Sequence, residues 1–144
     1  MRTSCRFAMA IHVLAILAYK EGDRVKSDDL AGSVNTNPVI IRRLLLVLQR
    51  AGLVETTKGF GAGSRLSRAP GRINLAEVYR AVEACEPFGK PSGKPNSSCP
   101  VGHIMRDTLE QLFISAEKAL ERDLEKTSLT DVIHKVKARQ KAVR

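Results

Sequence analysis

Apolar residues recur at helical spacing through most of the chain, and the breaks between them fall at glycine, proline and asparagine. Phe7, Ile11, Leu14 and Ala18 put one apolar face on a first helix from about Ser4 to Lys20, with Gly22 beyond it as a stop signal. Ser27 stands where a short second helix, SDDLAGSV, needs a cap, and Asp28 and Asp29 suit the positive end of its dipole. Asn35, Thr36 and Asn37 are turn and cap residues, and Asn37 before Pro38 reads as N-cap and first helical position of a third helix, Val39 to Ala51, that stops at Gly52. Along it Ile40, Leu44 and Leu48 share a face with Ile41, Leu45 and Val47 beside it, which turns Arg42, Arg43, Gln49 and Arg50 toward solvent.

The period then changes. LVETTKG, FGAG and SRLSR spell strand, tight turn and strand, with Gly59, Gly61 and Gly63 free to take positive φ and Lys58, Arg65 and Arg68 making the hairpin basic. A hairpin directly after the second helix of a helix-turn-helix makes a winged helix. INLAEVYRAVEA adds a fourth helix capped by Asn74, with Leu75, Val78, Tyr79 and Val82 spaced to pack on the core. Residues 86–98 hold three prolines and two glycines, the composition of a mobile loop. A long helix from Val101 to about Lys126 follows, and Val101, Met105, Leu109, Leu112, Ala116, Leu120 and Leu124 draw one continuous stripe on it. At about 1.5 Å per residue it outreaches a small winged-helix core, and its apolar surface calls for a partner, most economically a second copy of the chain. Ser128 with Asp131 starts a final helix that ends basic. The expected architecture is mainly α with a small β-hairpin wing: a winged helix-turn-helix over residues 1–85, the loop at 86–98, and a dimerisation helix with a C-terminal helix over 99–144.

Charge says where a partner would sit. The net charge of +9 points to a polyanion, and residues 1–75 carry 12 Lys and Arg against 5 Asp and Glu whereas residues 76–144 carry 12 against 10. Aromatics make up only 4% and Trp is absent, which argues against stacking on single-stranded bases. The apolar run Phe7 to Tyr19 contains His12 and is too short to span a bilayer, so no membrane role is expected. Three cysteines in a chain without an export signal fit a reducing, cytoplasmic setting better than a disulfide scaffold. Cys5 falls among the apolar residues of the first helix and is expected in the core.

For DNA, the recognition helix offers Asn35, Thr36, Asn37, Val39, Arg42 and Arg43, with Lys58 and Arg65 on the wing. Asparagine pairs bidentately with adenine and arginine with guanine, while Thr or Val touches a thymine methyl. The bland alternative, that Arg42 and Arg43 are ordinary solvated charges, loses weight because a turn and a basic wing adjoin them.

The order of VNTNPVIIRRLLLVLQRAGLV, KGFGAG, INLAEVYRAVE and a cysteine opening a long helix resembles the Rrf family of winged-helix repressors over nearly the whole chain, and VNTNPVIIRRLL with CPVG resembles its cluster-less, YwnA-like subgroup. The resemblance implies a dimer on palindromic promoter DNA. Some members hold an iron-sulfur cluster through three closely spaced cysteines and one further ligand. Here only Cys99 matches, His103 is one position beyond the family's histidine, and Cys85 precedes the usual first ligand, so no cofactor and no metal site is expected. A thiol sensor remains open: Cys99, beside the N-terminus of the long helix with Pro100 next, would favour thiolate, and Cys85 could resolve its oxidised form. Plain capping and packing roles for both are the competing explanation.

A dimeric, sequence-specific DNA-binding regulator, a repressor with a candidate redox pair, is therefore the leading expectation. The alternatives are a winged-helix module whose basic face binds an acidic protein, and a metal or iron-sulfur sensor with an incomplete site. No P-loop, dinucleotide fingerprint or nucleophile-base pair supports an enzyme.

Overall fold

The computed structural model describes residues 5–83, 87–89 and 93–143. Helix α1 spans Arg6–Tyr19 and buries Ala10, Val13, Leu14, Leu17 and Ala18, the three-and-four spacing of a core-facing stripe. Phe7 and Ile11 flank that stripe half-buried. Cys5 is not in the core: it is the residue before the helix, so its side chain falls off the end of the apolar face and is exposed. Ser4, the expected start, lies outside the described residues.

Helix α2 covers Ser27–Val34, and Ser27 is its first residue rather than its cap. Lys26 holds the cap position in extended backbone because Val25 is bridged to Ser64, each N–H donating to the other's carbonyl at 2.9 Å. Asn35 ends the helix at φ 62 and ψ 55, a left-handed conformation that asparagine tolerates and that turns the chain within three residues.

Helix α3, Pro38–Arg50, starts as its sequence dictates. The Asn37 side chain accepts from the Val39 N–H at 2.8 Å, and Pro38 fills the position that lacks a partner for an N–H. Ile41, Leu44, Leu45 and Leu48 are buried, but Ile40 is not; it is 42% exposed because one residue of helical rotation carries it off the line that faces α1 and α2. Replacing the cap, Asn37→Ala, is expected to lower unfolding free energy by about 1 kcal/mol in a denaturant titration, with the m-value unchanged.

Strands β1 (Val54–Thr57) and β2 (Gly63–Leu66) pair antiparallel, with Glu55 opposite Arg65 and Thr56 opposite Ser64. Gly63 is required at the hairpin's base: its φ is 146°, and a Cβ there would meet the Arg24 Cβ at 3.0 Å. A 3-10 turn at Pro70–Arg72 leads to α4, Leu75–Val82, whose cap Asn74 accepts from the Glu77 N–H at 3.0 Å and donates back to the Glu77 carboxylate at 3.2 Å.

Helix α5 runs Pro100–Glu125, and none of its residues is buried. The single stripe expected from the sequence divides in two. Leu109, Phe113 and Leu124 are half-buried; Phe88, in the segment before the helix, stacks on Phe113 at 5.0 Å, and Arg80 of α4 pairs with Glu121 at 3.4 Å. Val101, Ile104, Met105 and Leu112 are exposed on another face of the helix. Helix α6, Leu129–Val143, returns to the body and buries Leu129 and Ile133 in the same core as α1. Its start is a capping box: the Ser128 N–H donates to the Asp131 carboxylate at 2.8 Å, and the Asp131 N–H donates to the Ser128 hydroxyl at 3.2 Å. The Ser128 N–H, with its hydroxyl second, holds the Asp131 carboxyl below its ordinary range.

Candidate nucleic-acid interface

The core-facing side of α3 fixes what its other side presents. Opposite Ile41, Leu44 and Leu48, the residues Val39, Arg43, Leu46 and Arg50 follow one another four, three and four positions apart, which lines them along a single outward ridge. Val39 is 45% exposed and Leu46 is 53% exposed. Arg43 and Arg50 have no ion-pair partner among the described residues and are free to reach outward.

The remaining helix residues singled out in the sequence stand at its entry and are already engaged to different degrees. Asn35 is exposed in its left-handed turn. Thr36 is half-buried and donates its N–H to the Ala31 carbonyl at 3.0 Å. Asn37 spends its carboxamide oxygen on the cap, leaving its amide group as the donor it can offer outward. Arg42 reaches back to α2, donating to the Ser27 hydroxyl at 3.3 Å and pairing with Asp28 at 3.4 Å. The hydroxyl expected to cap α2 thus helps orient an arginine of α3.

On the wing the charges separate. Lys58 is exposed at the tip and has no ion-pair partner among the described residues. Arg65 pairs across the hairpin with Glu55, which Arg24 also approaches at 3.9 Å, so its charge is largely answered within the protein. Arg68 does not belong to the wing. It lies beyond β2, donates to the Arg72 carbonyl at 3.2 Å and to Glu77 at 2.7 Å, and ties the hairpin's exit to α4. Between α3 and the wing runs a groove lined by Arg42, Leu46 and Gln49 on one wall and Thr57, Lys58 and Gly59 on the other.

Sequence reasoning passed over Leu46 and Phe60 on this surface, and turned Arg50 to solvent without joining it to the contact set. Leu46 and Arg50 follow from continuing the helical spacing from Val39 and Arg43. Phe60 offers a weaker signal, an aromatic between two glycines, yet it is fully exposed at the wing tip.

Away from these elements in sequence, Cys99 is the residue before α5, with Pro100 in the first turn. The N–H groups of Gly102 and Val101 lie close enough to its sulfur to hold the thiol below its ordinary range, although neither contact meets full hydrogen-bond geometry. Cys85, the candidate resolving cysteine, lies outside the described residues.

A family model described as "Rrf2: Iron-dependent Transcriptional regulator" matches residues 3–135. The chain is 38% identical to YwnA of Bacillus subtilis over 129 residues, covering 90% of this chain and 95% of that protein. Among solved structures it is similar to T. potens IscR, with a TM-score of 0.71, 20% identity and coverage of 97% of this chain and 91% of that one. It is also similar to CymR, the global cysteine regulator of B. subtilis, with a TM-score of 0.68, 20% identity and coverage of 93% and 97%. These likenesses bear out the winged-helix fold. The family description names iron; among the described residues no three His, Cys, Asp or Glu side chains group to hold an ion, and Cys5 and Cys99 precede different helices. No helix among the described residues is long and apolar enough to cross a membrane. By the extent of the family match and the identity to YwnA, and with relatives named as regulators rather than enzymes, the chain belongs to the Rrf2 family of transcriptional regulators.

Proposed function

We propose that the protein is a homodimeric repressor that binds an inverted-repeat operator in double-stranded DNA, reading the major groove with α3 and the neighbouring groove with the wing. The observation that carries this is the outward ridge of α3, where two unpaired arginines and two exposed apolar side chains stand beside a basic hairpin tip. Arginine supplies bidentate contacts to guanine or phosphate, and Val39 supplies an apolar contact to a thymine methyl. Asn35, Thr36 and Asn37 fall at the helix entry, next to the phosphates. Arg42, held by Ser27 and Asp28, positions the two helices of the motif and keeps donors over for the backbone. Lys58 serves the wing, and Arg65, already paired with Glu55, serves it less.

The exposed apolar line on α5 is the surface that brings two protomers together, and the two-fold axis sets the spacing of the half-sites. Selecting bound fragments from genomic DNA of the source organism and footprinting the winners tests this directly. Protection of an inverted repeat, and a block to transcription from it in a purified system, are expected; protection without two-fold symmetry overturns the operator assignment.

The lowered pKa of Cys99 adds a chemical handle at the start of α5. Its thiolate is fully formed at lower pH than that of a free cysteine, so iodoacetamide, whose carbon the sulfur attacks with loss of iodide, should label the Cys99 peptide faster than the Cys5 peptide between about pH 6 and 8. If the thiol also regulates, labelling weakens operator binding in the wild type and leaves Cys99→Ser unaffected. Equal labelling rates for Cys99 and Cys5 remove the sensor assignment.

A further inference from the structure

We infer that Phe60 is an apolar wedge that enters the DNA minor groove and unstacks a base step there, an inference that rests on the DNA-binding function proposed above. Phe60 is 108% exposed, the largest exposure of any large apolar side chain described. Single exposed apolar residues need no explanation on a flat surface. This one is different because the backbone isolates it: Gly59 at φ 83 and Gly61 at φ 75 flank it, neither contributing a side chain, and among the described residues no atom beyond their chain neighbours lies within 4 Å of where their Cβ atoms would be. The hairpin therefore delivers a bare ring at its extremity.

What the ring meets follows from its neighbours. The groove shared by α3 and the wing places the tip beside the flank of α3 that carries Arg42, Leu46 and Gln49. With α3 in the major groove, the tip reaches the adjacent minor groove. Lys58, two residues away and exposed, supplies the charge that a polyanion requires, and no acidic residue lies between Thr56 and Arg72 to oppose it. A phenyl ring has no hydrogen bond to offer the base edges in that groove. It gains by sliding between base pairs, which costs least at flexible pyrimidine-purine steps and kinks the duplex away from the wedge. Affinity and bend thus come from an uncharged group.

The test uses full-length protein and the operator fragment recovered by the selection above. Phe60→Ala should weaken binding about tenfold per ring, hence about a hundredfold in the dimer, and reduce the bend read by end-to-end energy transfer on a doubly labelled fragment. Its salt dependence should match the wild type, because no phosphate contact is lost. Lys58→Ala should do the reverse, lowering the salt slope and keeping the bend. Phe60→Trp should retain both affinity and bend. The ring touches no core residue, so thermal melting of Phe60→Ala should coincide with the wild type.

Wild-type affinity and bend in Phe60→Ala overturn the wedge. So does a variant that binds and bends normally yet no longer controls transcription when polymerase is present, because the ring then contacts a protein. Failure of the underlying function has a separate signature: the variant lacking Arg43 and Arg50 would bind the fragment as the wild type does.

Discussion

Arg43→Ala combined with Arg50→Ala should lower operator affinity by at least about a hundredfold in fluorescence anisotropy at fixed salt. Each arginine that reads a base or holds a phosphate contributes about 1–3 kcal/mol, and in a dimer every substitution is made twice. The protein should stay folded, since both side chains leave the ridge of α3 opposite its buried face. Arg42→Ala is expected to have a smaller and different effect. It removes the bond to Ser27 and the ion pair with Asp28, in which the Arg42 and Asp28 side chains are 57% and 72% accessible, so stability falls by at most about 1 kcal/mol. The salt slope of binding should also fall further for the double variant than for Arg42→Ala. Wild-type affinity in the double variant would mean that α3 is not the reader.

Leu112→Lys should yield a monomer in light scattering and cut operator affinity by about 10²–10⁴, the gain that two linked half-site contacts normally give. Leu112 is 60% exposed within one protomer and shares its face of α5 with Val101 at 59% and Met105 at 37%. Ala116 and Ala119 continue that face with small side chains that let a second helix approach closely. A buried lysine between two such helices would be unpaired, a cost that opposes association and leaves the protomer's own core untouched. Helix content by circular dichroism should therefore be retained. A dimer that survives this substitution would place the interface elsewhere.

The elements of the fold were legible because local chemistry and packing agree. Asn37 and Pro38 announce α3, Asn74 announces α4, Ser128 with Asp131 announces α6, and each cap forms with the bonds its side chains can make. What periodicity could not fix was the phase of a face to within one residue. Ile40 and Ile41 are interchangeable in a pattern, and only packing against other helices decides that Ile41 is buried. The same ambiguity merged two faces of α5 into one, because Leu109, Phe113 and Leu124 are half-buried while Val101, Ile104 and Leu112 are left exposed. Charges were harder still. Arg65 and Arg68 look alike in sequence, yet strand register sets the first opposite Glu55 and the chain's path carries the second to Glu77. The outward residues of α3 were legible at its start, and Arg50 with them, whereas Leu46 looks apolar in the pattern and is placed outside only once the buried line has been phased.

The return of α6 to α1 has a consequence for how the halves of the chain are joined. The Leu129 N–H donates to the Ile73 carbonyl at 2.8 Å and the Leu75 N–H to the Thr127 carbonyl at 3.0 Å, so the far end of α5 is stitched to the entry of α4 independently of the segment that leads into α5. Backbone bonds at the distal end of α5 thus act beside the Phe88–Phe113 stack near its start, so a change of length in the segment between α4 and α5 should leave the projecting rod at the same bearing on the rest of the molecule.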